Sequence, residues 1–138
     1  EAGLEAGETG EPRLLRLENV QHLLTPVRAP MAGKASLLKA AYALHPTPAV
    51  GGSPREAALN ELPGLEGLAR GLYAGLIGWL DCRGDGELVV AIRSAMVEVR
   101  RARLFAGAGI VEGSEPQREK AETDLKLRAL LDILTNDA

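Results

Sequence analysis

The stretch Ser114–Lys126, SEPQREKAETDLK, sets carboxylates at 119 and 122 and an ammonium at 126, then runs directly into the apolar LRALLDIL. At about 100° per residue these three groups share a sector of roughly 60° on a helix. Leu130, Ile133 and Leu134 continue on that side, whereas Asp124, Arg128 and Asp132 lie opposite. The apolar residues must face the interior, so the geometry carries Glu119, Glu122 and Lys126 to its edge. Charge in such a place is costly unless it is paired or bound to metal. Two carboxylates one turn apart, with an ammonium one turn further on, suit a hard oxygen-ligated cation such as Mg2+ beside an anionic substrate. The competing reading is an ordinary i, i+4 ion pair of Glu122 with Lys126 on a solvated face.

Two neighbouring features also suit an anion. AGAGIVEGS stands just before this helix, and Gly107 and Gly109 let backbone N–H groups approach a ligand near a helix N-terminus. The Gly-x-Gly alone is weak, and without a βαβ unit around it a dinucleotide fingerprint is not supported. Arg93, in AIRSA, reads as mid-strand among apolar residues, where a guanidinium must grip a carboxylate or phosphate, from a ligand or from the protein itself. Together these residues imply a site for a small polyanion with a metal.

The elements that must position them follow from pattern. Residues 1 to 12, EAGLEAGETGEP, read as a linker or disordered start, with the folded part over 13 to 138. RLLRLENVQHLLTPV reads as a strand or two, and GKASLLKAAYAL at 33 to 44 as a helix. The prolines and glycines of HPTPAVGGSP argue against a regular element there. Ser53 is a candidate N-cap for a helix PREAALNEL, ended by Pro63 and Gly64. From 71 onward, GLYAGLIGWLD, ELVVAIRSAMVEV and RARLFAGAGIV read as three strands of an antiparallel meander, with CRGDGE as a tight hairpin turn. LYAGLIGWL suits a buried strand. Ser114 and Gln117 fit a capping box for the charged helix, which starts at about 115 with Pro116 in its first turn. The order predicts an α+β fold rather than alternating βαβ units.

Composition bounds the rest. With 138 residues, 46% of them hydrophobic, and a net charge of -3, the chain reads as one soluble globular unit. Scattered basic residues and four aromatics give little support to a nucleic-acid partner. No apolar run approaches a membrane span, which predicts no membrane partner. The single Cys82 excludes an internal disulfide and a CxxC metal site, and fits a reducing, cytoplasmic location. Arg83-Gly84-Asp85 is a turn before it is an adhesion motif. The Asp81–Gly86 stretch fails as a calcium loop, because Arg83 takes a ligand position and Ile92 stands where the bidentate Glu belongs. The chain begins at Glu1 without Met, which reads as a cut from something longer.

Several stretches, QHLLTP, LHPTPAVGGSP, RGLYAGLIGWLDCRGDGELVVAIRSA and AGAGIVEGSEPQREKAETDLKLRALL, resemble in consistent order the C-terminal half of the chorismate-utilising enzymes. That family includes isochorismate, salicylate, aminodeoxychorismate and anthranilate synthases. HPTPAVGG with Ala49 is similar to the isochorismate synthases, whereas salicylate synthases tend to carry Thr at that position. The resemblance implies an antiparallel sheet packed with helices, and a Mg2+-dependent isomerase that moves the chorismate hydroxyl by adding water at one ring carbon and expelling hydroxide at another. It implies Glu122 as a direct Mg2+ ligand and Glu119 as a ligand mostly through water, with Lys126 beside the ring carboxylate. Arg93, Tyr73 and the backbone at Gly107 would grip the carboxylate of the enolpyruvyl arm. His22 matches the family's histidine near the ring and the pyruvyl side, and His45 would order the loop bearing Thr47 and Ala49.

The family's general base, general acid and remaining metal-binding acids belong to an N-terminal half that this chain lacks. The expectation is therefore half of an active site, inactive alone, with the missing half as its partner and exposed sheet edges that favour self-association. The alternatives are a salicylate, anthranilate or aminodeoxychorismate synthase, and a non-catalytic binding or assembly piece. A product bound for menaquinone, a siderophore or salicylate is compatible with the resemblance.

Overall fold

The computed structural model describes residues 7–16, 21–30 and 36–136, and separates into two compact units, Glu1–Leu44 with Trp79–Glu87, and His45–Gly78 with Leu88–Ala138.

The first unit opens with nested antiparallel pairs. Strand β1 (Glu8–Thr9) pairs with β4 (Val27–Arg28), and β2 (Arg13–Arg16) pairs with β3 (Gln21–Leu24), Leu15 standing opposite His22. Part of the expected linker is thus a strand; residues 1 to 6 lie outside the described residues. Helix α1 (Leu37–Leu44) begins after Ser36, whose hydroxyl accepts the Lys39 N–H at 3.3 Å while its carbonyl accepts that of Ala40. The helical reading from 33 starts outside the described residues.

HPTPAVGG does hold a regular element, the one-turn helix α2 (Pro48–Gly51), because Pro48 stands at its start, where a missing N–H costs nothing. Helix α3 (Arg55–Glu66) departs from the sequence reading at both ends. Its N-cap position is Pro54, with no side-chain cap, rather than Ser53. Pro63 lies inside it, and the helix closes at Gly67, whose left-handed φ of 63° lets its N–H reach the Pro63 carbonyl.

The expected three-stranded meander is two separate hairpins. Strands β5 (Leu76–Leu80) and β6 (Gly86–Val90) pair across the CRGDGE turn, as that turn predicts. The Asp81 carboxylate accepts the N–H groups of Arg83 and Asp85 at 2.8 and 2.9 Å, so this acid organises the turn. Strands β7 (Ser94–Glu98) and β8 (Arg101–Phe105) form the second hairpin, with Ser94 opposite Phe105. What divides ELVVAIRSAMVEV is Arg93: its φ of 48° leaves the extended region, so the ladder cannot continue through it. Arg93 is therefore at a break between strands and not mid-strand.

LYAGLIGWL is not a buried strand, for every residue of β5 is exposed. Helix α4 (Pro116–Asn136) supplies the long C-terminal element, with the Glu115 carbonyl accepting the first N–H groups, from Arg118 and Glu119. The capping box does not form. The Ser114 hydroxyl turns back and accepts the Val111 N–H at 3.1 Å, closing the preceding turn instead of the helix. Among the described residues no helix is long and apolar enough to cross a membrane.

Candidate active site

The charged stripe lies on α4, but the interior-facing edge expected for it is only partly formed, because Ile133 and Leu134 on the same side are exposed. The Lys126 side chain is 15% exposed and Glu122 55%, and the two meet at 2.5 Å one helical turn apart. Glu119, a turn earlier, is half-buried. The i, i+4 ion pair weighed from sequence is thus present, yet the ammonium does more than pair. It also donates to the Gly107 carbonyl at 3.0 Å, across 19 residues of chain. A half-buried cation held by one carboxylate and one carbonyl keeps a donor for a third group.

Lys126 lowers the Glu122 carboxyl below the usual carboxylate range, first by its hydrogen bond and then by its charge; Arg93 adds a smaller attraction. The guanidinium of the left-handed residue is therefore close enough for its field to reach the same carboxylate. Glu122 is ionised at neutral pH.

Tyr73 approaches the same backbone at Gly107. Its ring stacks on Phe105 at 5.3 Å between centroids with 17° between planes. A Cβ built on Gly107 would lie 2.9 Å from the Tyr73 hydroxyl, so glycine at 107 is what allows the phenol so close to the backbone that Lys126 grips. Burial raises the Tyr73 pKa, with the Arg70 charge acting the other way, and the phenol stays a hydrogen-bond donor at neutral pH.

Tyr73, Arg93, Gly107, Glu122 and Lys126 are therefore drawn together by α4, the β7–β8 hairpin and the turn at 70–75. Gly109 lies exposed two residues past Gly107. Ala49 lies exposed in α2, adjacent to Val50, whose carbonyl accepts a hydrogen bond from Arg70 at 2.7 Å. His22 is half-buried in β3, in the other unit. His45 is part-buried before α2, and its Nδ1 has no hydrogen-bond partner while its carbonyl accepts from Arg55. The sequence reading passed over Arg70 and Glu66. Their separation of four residues, from the last residue of α3 to just beyond its end, was the available signal.

Carboxylate oxygens one turn apart are donors that Mg2+ accepts, and Glu122 is already ionised. No cluster of three or more His, Cys, Asp or Glu able to hold a metal occurs among the described residues. Glu119 and Glu122 are the carboxylates of this stripe that could enter the oxygen shell of such a cation.

Residues 1–135 match the family profile described as chorismate binding enzyme. The chain is 52% identical over 124 residues to the salicylate biosynthesis isochorismate synthase of Pseudomonas aeruginosa, covering 90% of this chain and 26% of that protein. It is 47% identical to the isochorismate synthase MenF of Bacillus subtilis, covering 89% and 26%. A crystal structure of a Bacillus anthracis protein described as the 2,3-dihydroxybenzoate-specific isochorismate synthase DhbC superposes with a TM-score of 0.89 at 40% identity, covering 95% of this chain and 36% of that one. The chain thus spans about a quarter to a third of the length of these relatives.

Proposed function

Since the chain belongs to the family of chorismate binding enzymes, we propose that it supplies one face of the active site of a Mg2+-dependent isochorismate synthase. The observation that carries this reading is its likeness, along nearly its whole length, to proteins named isochorismate synthases. The geometry of the cluster supports it, because chorismate presents two carboxylates and the cluster presents two cations and a neutral phenol.

In this reading Lys126, already fixed by Glu122 and the Gly107 carbonyl, donates to the ring carboxylate. Arg93 and the protonated Tyr73 hydroxyl hold the enolpyruvyl carboxylate, beside the backbone of Gly107 and Gly109. Glu122 and Glu119 would hold Mg2+, which when bound neutralises charge on the ring carboxylate. The family resemblance assigns His22 to the ring and pyruvyl side of the substrate. Isomerisation requires a water oxygen to bond one ring carbon, with its proton taken by a base, while the original hydroxyl leaves another carbon with a proton from an acid. The residues of this cluster bind and orient; the acid and base belong to the remainder of the full-length protein.

The test uses the full-length protein with chorismate and Mg2+. Isochorismate should accumulate without pyruvate, and Glu122→Ala should lower turnover by about a hundredfold or more, the scale of losing one electrostatic stabiliser. Full activity in the presence of a chelator would sink the reading. Pyruvate release would instead establish salicylate formation, the reading that Ala49 disfavours.

A further inference from the structure

We propose that Arg70, locked by Glu66, is a positioning residue that holds helix α2 against Tyr73 and so sets the geometry of the carboxylate grip; the inference rests on the chorismate reading above. One guanidinium reaches three segments. Its Nε and one terminal nitrogen form a two-pronged contact with the Glu66 carboxylate at 2.7 and 2.5 Å, and its other terminal nitrogen donates to the Val50 carbonyl at 2.7 Å. Its carbon lies 6.0 Å from the centre of the Tyr73 ring, and its own carbonyl accepts the Tyr73 N–H at 2.9 Å.

Each contact answers a local need. The last carbonyls of a one-turn helix have no partner within it, and a cation at a helix C-terminus is favourable, so Arg70 closes α2 at Val50. A planar fork can hold a carboxylate on one edge and a carbonyl on the other, which a lysine ammonium cannot do with the same fixed direction. Glu66 stands in the last turn of α3, and its carboxyl is held below the usual range mainly by the Arg70 hydrogen bond, so it stays ionised and keeps the fork oriented. The Arg70 and Glu66 side chains are 27% and 28% exposed, shielded enough for the pair to resist screening. Arg70 is thus the common anchor of α2, the end of α3 and Tyr73, all within one unit.

The experiment uses Arg70→Lys, Glu66→Gln and the double variant of the full-length protein. Each single variant is expected to raise KM for chorismate about tenfold with kcat within about twofold, since a misplaced clamp weakens binding before it changes the chemistry. Amide exchange over residues 49–52 should quicken while α4 keeps its protection. The double variant should match the larger single effect, because both substitutions break one unit. Unchanged KM and exchange would overturn the proposal, as would additive effects or protection lost equally across α3 and α4. The exchange measurement needs no turnover, so a wild-type protein that fails to make isochorismate would sink the functional reading while still deciding whether Arg70 holds α2.

Discussion

Gly107 shows how a backbone position can matter without a side chain. Its conformation lies outside the left-handed region, so alanine would meet no backbone strain there, only the Tyr73 hydroxyl at 2.9 Å. That oxygen cannot easily retreat, because its ring is stacked on Phe105. In the full-length protein Gly107→Ala is expected to raise KM for chorismate about tenfold, the effect of shifting a binding group by a fraction of an ångström. Gly64→Ala, in α3 with open space around its Cβ, should leave KM unchanged. Steady-state kinetics of the two variants side by side would check this. The Glu122–Lys126 contact was legible from residue spacing, since the two do meet one turn apart. The second partner of Lys126 was not legible, because the Gly107 carbonyl is 19 residues away and no side-chain pattern marks an acceptor on the backbone.

At the scale of elements, the break at Arg93 decides the topology. A non-glycine residue held left-handed costs about 1 kcal/mol or more relative to glycine. Arg93→Gly is therefore expected to be more stable than Arg93→Ala by about 1 kcal/mol, read as the difference in denaturation midpoints of the full-length proteins, while both lose turnover. Equal stability would mean that the left-handed backbone carries no strain. Periodicity identified the strand content around Arg93, and the Asp-Gly of CRGDGE identified a real hairpin turn. Neither could reveal the break, because ELVVAIRSAMVEV has no glycine, proline or asparagine to mark a departure from extended backbone. Helix ends were misread for a related reason. Ser53 and Ser114 have the right residue type for capping, but a hydroxyl bonds whichever N–H the chain brings to it, and for Ser114 that is Val111.

At the scale of the whole molecule, the chain is poor in core. Ala74 is the buried hydrophobic residue among those described, and large apolar side chains such as Leu23, Ile77 and Val97 are mostly exposed. A chain covering a quarter to a third of its relatives has the sequence of its family's fold without enough of its own surface to bury. The 138-residue chain on its own is expected to associate through these faces, with a light-scattering mass above 14.6 kDa that rises with concentration and falls in mild urea. A constant monomer mass up to high micromolar concentration would contradict this.

The same exposure provides a spectroscopic gauge. Trp79 is the only tryptophan in the chain, and it lies on β5 with 57% of its surface in water. Its emission in the isolated chain should therefore be red-shifted and readily quenched by iodide. Any chain that covers β5 would move that single band toward the blue, so the state of the whole surface can be followed from one indole without a label.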